Sequence, residues 1–328
     1  MNVPALLDHL RRAFGAPALA LSAPPTPLTG GYDTQIYALR LDAAPPELAG
    51  PLVLRVLRPH HDPARVLREQ ATQNALADLG YPAPRVRLAS ADPALLGAPF
   101  LLMDFARGRP LVAARPLGMG PKLVALQLRL HALDPAPLAR ALGAAGAFDG
   151  YLDALGQRIA RAGLAGLAPL LAWLRRRQPR DDAAPVICHG DFHPQNVLVA
   201  EGATTAVLDW PNVLVADPAF DVASTLNILR FVPAGLAAVP RGLRWLARIA
   251  QPLLAARYLG AYRRERPIAD ARLAYYQVAA GLRALVGAAE GRRRARPDGA
   301  ASALDASPYA ARLLAHAREV SGVRGDLA

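Results

Sequence analysis

One cysteine, Cys188, and one lysine, Lys122, stand in a chain of 328 residues. A lone cysteine forms no intramolecular disulfide, no multi-cysteine zinc site and no C-x-x-C redox pair, which fits a reducing, cytoplasmic setting. No secretory leader is expected either. The opening MNVPALLDHLRRAFG places its arginines after and among the leucines, whereas a signal peptide runs basic and then apolar; it reads as an amphipathic helix. The long uncharged stretch from Ala13 to Tyr32 is interrupted by four prolines and by Gly30-Gly31, so it spans no membrane. A soluble protein without membrane partners is expected.

The scarcity of lysine means that nearly all the basic charge is arginine, which with abundant Ala, Leu and Pro resembles a coding bias. The net charge of +12 therefore does not point to nucleic acid, which calls for a basic stripe with interleaved aromatics or a recognised motif. The charge is uneven, with seventeen arginines against seven acids from Val222 to Ala328.

The length suits roughly two domains of ordinary size, each with its own core. After the first helix, LALSAP, TQIYALRL and PLVLRVL read as short antiparallel strands. A helix is expected from Asp62 to Leu79, with Asp62 as its cap, Pro63 at its first position and Gly80 ending it. PRVRLA and GAPFLLMDF read as two more strands, after which Gly108 and Pro110 break the pattern. The boundary is placed at 105/106. Residues 106–328 turn to Ala/Leu-rich helical periodicity, as in PKLVALQLRLHAL and GYLDALGQRIARAGL. The exception is Pro185 to Trp210, where VICH, NVLVA and TTAVLDW are β-like runs around a Glu201-Gly202 turn.

That exception carries the chemistry. Val186 to Val199 reads VICHGDFHPQNVLV, and Asp209 follows Asn196 by thirteen residues. Phosphoryl transfer needs a carboxylate to orient or accept the acceptor hydroxyl's proton, and an amide oxygen with a second carboxylate to hold magnesium on the phosphates. Asp191, Asn196 and Asp209 supply those groups. The step from Asp191 to Asn196 matches the D-x-x-x-x-N spacing of a kinase catalytic loop, and a hairpin after Asn196 brings Asp209 back beside it. The bland alternative makes Asp191 a turn cap and Asn196 a left-handed turn residue.

The H-G-D-x-H-x-x-N run with its later D-W resembles the aminoglycoside-phosphotransferase-like family, relatives of choline kinases and protein kinases. The resemblance implies an α+β fold with two lobes. Residues 1–105 would form a small antiparallel-sheet lobe that binds nucleotide; 106–328 would form a mainly helical catalytic and acceptor-binding lobe. It implies a catalytic role for Asp191 and magnesium binding by Asn196 and Asp209. His193 occupies the place where protein kinases put a phosphate-contacting lysine, with plain loop packing as the alternative. His189 is expected to frame the loop. Asp217-Pro218-Ala219-Phe220-Asp221 resembles the family's G-D-P-x-x-D, with Ala216 in place of glycine, so Asp221 would support the catalytic loop; capping of the following helix is compatible. Cys188 is expected to be a buried small hydrophobe.

In the first lobe, Arg55 resembles the family's basic residue on the α- and β-phosphates, a place where many kinases use lysine; guanidinium binds phosphate well. Glu69 matches the family's acidic partner for it, with a solvated helix charge beside Arg65 and Arg68 as the competing reading. Gly30-Gly31 stands where a kinase covers the phosphates with backbone amides. Met103 to Phe105 resembles the hinge that receives adenine through backbone bonds.

The expected function is transfer of the γ-phosphoryl group of ATP or GTP, with Mg2+, to a hydroxyl of a small molecule. Polycationic aminoglycosides call for an acidic acceptor wall, and the basic last third points instead to a neutral or anionic acceptor. Alternatives are a non-catalytic nucleotide-binding regulator and a true aminoglycoside or macrolide resistance kinase.

Overall fold

A computed structural model describes residues 2–28, 34–58, 61–114, 119–179, 183–231, 244–295 and 308–327. Its contacts divide the chain into two units, Met1–Pro110 with Asn196–Pro211, and Leu111–Gln195 with Asn212–Ala328. The first unit thus runs past the expected 105/106 boundary and takes in a hairpin assigned from sequence to the second lobe. The reason is strand pairing: Leu198 and Val199 pair antiparallel with Pro110 and Arg109.

A five-stranded antiparallel sheet organises the first unit, in the order Thr26–Leu28, Thr34–Leu39, Leu52–Leu57, Phe100–Asp104, Val86–Ser90. Successive strand residues face opposite sides, and both sides are covered. Leu52, Leu54 and Val56, with Phe100 and Leu102, join a core that includes Leu6 and Leu10 of the helix Val3–Phe14. Leu57, Leu101 and Met103 pack on the other side with Val66 of the helix Ala64–Asp78, and Val53 packs against them. Arg55, alternate with Val53 and Leu57, therefore faces that second helix. Its buried positions include Val66, Glu69, Gln73 and Leu76, a single stripe at helical spacing. Asp62 Oδ1 accepts the Ala64 N–H at 2.9 Å, the capping expected of it.

The hairpin Val197–Ala200/Ala203–Val207 turns at Glu201 and Gly202, both left-handed at φ 51° and 80°, as a tight two-residue turn requires. Its far end is sewn to the same unit. The Val207 N–H donates to Pro82 O at 2.6 Å, and buried Trp210 meets Tyr81 edge to face.

The second unit is helical around a small sheet in which Val186–Cys188 pairs antiparallel with Leu214–Ala216. The helices Met119–His131 and Phe148–Arg161 lie where the periodicity predicts them, and the helix Ala168–Arg177 follows. The helix Pro218–Phe231 is buried from Pro218 to Asn227 on every side, the mark of a helix inside a core. Tyr275 and Tyr276 of the helix Asp270–Ala295 join Phe148, Tyr151 and Phe220 in an aromatic cluster. Asp217 Oδ1 accepts the Ala219 N–H at 2.8 Å. Asp217 therefore serves the start of the Pro218 helix, and Asp221, inside its first turn, is free for another task. Among the described residues no helix is long and apolar enough to cross a membrane.

Candidate active site

In the first unit, Arg55 is held on two sides. Its Nη1 donates to Glu69 Oε2 at 2.8 Å and its Nη2 to Asp209 Oδ1 at 3.2 Å. Glu69 is 1% exposed and also accepts from Arg65 Nε at 2.7 Å, so it is no solvated helix charge; Arg68 pairs with Asp62 instead. A buried carboxylate between two guanidiniums has the compensation that a buried charge needs. It fixes Arg55, itself 12% exposed, in one orientation.

The hairpin brings Asn196 and Asp209 to the same end. Val197 pairs with Val207, and the Leu208 N–H donates to the Asn196 carbonyl at 2.8 Å. Asp209 sits at φ 66°, a left-handed conformation that aspartate tolerates better than most side chains. An amide oxygen and a carboxylate are hard donors. They suit magnesium, which takes one or two protein oxygens and completes its shell with waters and substrate phosphates; the donor set fits that ion.

Met103 is buried in the sheet's core, and the N–H groups after it are in use. Asp104 donates to Arg85 O at 2.9 Å and Phe105 to Pro51 O at 3.0 Å, while the Asp104 carboxylate receives both nitrogens of the Arg87 fork at 2.7 and 2.9 Å. Gly30 and Gly31 lie outside the described residues.

In the second unit, the loop after Val186–Cys188 carries His189, Asp191 and His193. The peptide of Gly190 is gripped at both ends. Its N–H donates to Asp221 Oδ1 at 2.7 Å, and its carbonyl accepts from Arg283 Nη2. Gly190 sits at φ 75°, and a Cβ there would lie 2.5 Å from Asn212 O, so no other residue fits. The Asp191 N–H donates to His189 Nδ1 at 3.2 Å, which leaves the His189 proton on Nε2. The Gln195 N–H likewise donates to His193 Nδ1 at 3.3 Å, and the protonated Nε2 of His193 stands 3.9 Å from Asp191 Oδ2. Thr225 Oγ1 donates to Phe192 O at 2.8 Å and anchors the loop to the Pro218 helix.

Asp221 is the hub beneath this loop. Fully buried, it accepts from Gly190 N, from Gln127 Nε2 at 2.8 Å and from His131 Nε2 at 3.1 Å. Burial works to raise its carboxyl, but hydrogen bonds and charge from His131, with His189 and Gln127, hold it below the ordinary carboxylate range. Tyr262, which burial keeps protonated, lies 2.7 Å from His131 Nδ1. Cys188 is fully buried, and burial pushes its thiol up.

A sequence model of the phosphotransferase enzyme family matches residues 25–271. The chain belongs to that family. A Ralstonia eutropha protein assigned provisionally to the aminoglycoside phosphotransferases is similar along 98% of both chains, with a TM-score of 0.65 at 21% identity. Aminoglycoside phosphotransferase APH(4)-Ia, in ternary complex with AMP-PNP and hygromycin B, matches 97% of this chain and 99% of its own at a TM-score of 0.62 and 19% identity. Acyl-CoA dehydrogenase family member 11 of Rattus norvegicus is 28% identical over 213 residues, 58% of this chain. The chain spans about a quarter of the length of the curated relatives it matches, 26% of the rat protein.

The chain has the two-lobed, protein-kinase-like fold, with its antiparallel sheet and its helical part as expected from the motif. Sequence reasoning missed several residues that its second unit brings to the loop. Gln127 and His131 are polar residues at i and i+4 on the buried face of an Ala/Leu-rich helix, and that break in an apolar stripe was the available signal. Arg283 carried no signal beyond its charge. A pocket of about 180 Å3 opens beside the loop, lined by Asp191, His193 and Gln195 and by residues of three helices, none of them singled out by sequence.

Proposed function

We propose that this phosphotransferase moves the γ-phosphoryl group of ATP, with magnesium, to a hydroxyl of a small neutral or anionic molecule. The observation that carries the reading is the placement of Asp191 on the wall of a pocket in which it is the only acid among the described residues, on a loop held through Gly190. Asp191 accepts the proton of the acceptor hydroxyl. The hydroxyl oxygen bonds to the γ-phosphorus, the bond from phosphorus to the β,γ-bridging oxygen breaks, and ADP leaves with that electron pair.

The chain's other groups position and neutralise. Arg55, oriented by Glu69, binds phosphate oxygens in fork geometry. Asn196 and Asp209 would hold magnesium, which supplies charge neutralisation on the phosphates. His193, with its Nε2 proton near Asp191, is suited to donate to a phosphoryl oxygen. His189 and Asp221 act through the loop backbone, and catalysis is mainly orientation and electrostatics. Gly30-Gly31 keep the phosphate-cover role that the family implies, whereas an adenine-hinge role for Met103 to Phe105 would have to fall to their carbonyls, because the Asp104 and Phe105 N–H groups are already bonded.

ATP is preferred to GTP as donor because a structural relative is described with AMP-PNP. Hygromycin B in that complex suggests an aminoglycoside, but a single carboxylate offers a polycation little in the way of an acidic wall. Incubation with ATP or GTP, magnesium and a panel of hydroxylated acids, polyols and aminoglycosides, read as ADP or GDP release, tests the proposal. Release with a neutral or anionic hydroxyl compound supports it; release with aminoglycosides alone refutes the acceptor class.

A further inference from the structure

The walls of the Asp191 pocket follow from helical spacing. Ser224, Asn227 and Ile228 lie at i, i+3 and i+4 on the helix Pro218–Phe231, and Ala280, Arg283 and Ala284 repeat that spacing on the helix Asp270–Ala295. Residues so spaced share one helix face, so two faces and Tyr309 of the helix Pro308–Ser321 line the space beside the loop. The wall is mixed, with Ile228, Ala280 and Ala284 as its aliphatic part. Its polar part is unusual in two ways.

The first is Arg283. Its Nη2 donates to Gly190 O, its Nε is buried with no acceptor, and among the described residues it makes no ion pair. Part-buried guanidinium charge is ordinarily matched by a carboxylate. The second is Ser224, 2% exposed, whose Oγ has no hydrogen-bond partner. A buried hydroxyl without a partner is costly unless a ligand or water supplies one. Tyr309 is also on the wall, its hydroxyl pushed up to about 12 by burial, against the charge of Arg283; it remains a neutral donor at physiological pH. His193 adds a proton at Nε2.

From this geometry we infer that the pocket takes the carboxylate of a small hydroxy acid, with the carboxylate on Arg283 and Ser224 and the hydroxyl at Asp191. The inference rests on the kinase reading and narrows its acceptor. The space, about 180 Å3 and partly open, accommodates a small acid. Arg283 contacts the carbonyl of Gly190, the residue before Asp191, so the carboxylate and the accepting hydroxyl lie a few bonds apart.

Calorimetric binding separates this from turnover. The probes are 3-hydroxybutyrate and its neutral counterpart 3-hydroxybutyramide, titrated into the full chain as wild type, Arg283→Met, Arg283→Lys and Ser224→Ala. Wild type and Arg283→Lys should bind the carboxylate about tenfold more tightly than the amide. Arg283→Met should bind the two within about twofold of each other, and Ser224→Ala should lose about threefold in affinity for the carboxylate. Equal binding of the two probes by wild type, a preference that survives Arg283→Met, or no saturable binding of either probe overturns the inference. A carboxylate preference in a protein that transfers no phosphoryl group to any acceptor would leave the anion site standing and refute the kinase reading, so the two fail separately.

Discussion

The amide N–H of Gly190 donates to Oδ1 of Asp221 at 2.7 Å, which ties the residue before Asp191 to a fully buried carboxylate that two other side chains also address. A carboxylate with three donors and no solvent is a positioning device. It holds the backbone N–H of the residue before Asp191.

Asp221→Asn removes the charge and one acceptor and sets an amide N–H against Gln127 or His131. The unfolding free energy at pH 7 should drop by about 3 kcal/mol. The sign of the pH dependence follows from the depressed carboxyl. A folded-state value below the unfolded one stabilises above the unfolded value, near 4, and the effect fades as pH falls through the folded value. Urea titrations from pH 7 down to pH 3 should therefore show the gap between wild type and variant narrowing below about pH 4. A gap independent of pH would contradict the assignment of charge to Asp221.

Gly190→Ala tests the loop conformation. The added methyl would meet Asn212 O at 2.5 Å in a left-handed backbone, so the peptide must rotate and release Asp221 or Arg283. Stability should fall by about 2 kcal/mol, with kcat reduced at least about tenfold because Asp191 is displaced. A variant with wild-type kcat and stability would show that the grip on Gly190 does not position Asp191.

In the other unit, Glu69→Gln leaves Arg55 and Arg65 without their shared carboxylate. Loss of one partner from a buried pair should cost about 3 kcal/mol in stability. With Arg55 no longer oriented by that charge, nucleotide affinity should fall about tenfold. Calorimetry with a non-hydrolysable ATP analogue reads the second effect, and unchanged affinity would remove Arg55 from the phosphate site.

Local signals carried much of this structure. The run Leu52–Leu57 read as a strand, Asp62 as the cap of the next helix, and the Glu201-Gly202 pair as a hairpin turn. Spacing around His189, Asp191 and Asn196 marked the loop before any coordinates. What was not legible depends on contacts between residues far apart in sequence. His131 reaches Asp221 across 90 positions and Gln127 across 94. The hairpin's membership in the first unit comes from pairing with Arg109 and Pro110, which no local pattern announces. The pocket wall was hidden for another reason: Ser224, Asn227, Ala280 and Ala284 sit on well-buried helices and look like core positions until the two faces are seen to leave a space. Arg283 lay in the arginine-rich last third, where composition masked it.

Asp191→Ala bears most directly on the central claim. With the acceptor that supports ADP release in wild type, single-turnover transfer should fall by at least about a thousandfold, because the residue that takes the hydroxyl proton is gone. Nucleotide affinity should stay within about threefold, since Asp191 serves the acceptor. Transfer within about tenfold of wild type in a folded Asp191→Ala protein would contradict the account.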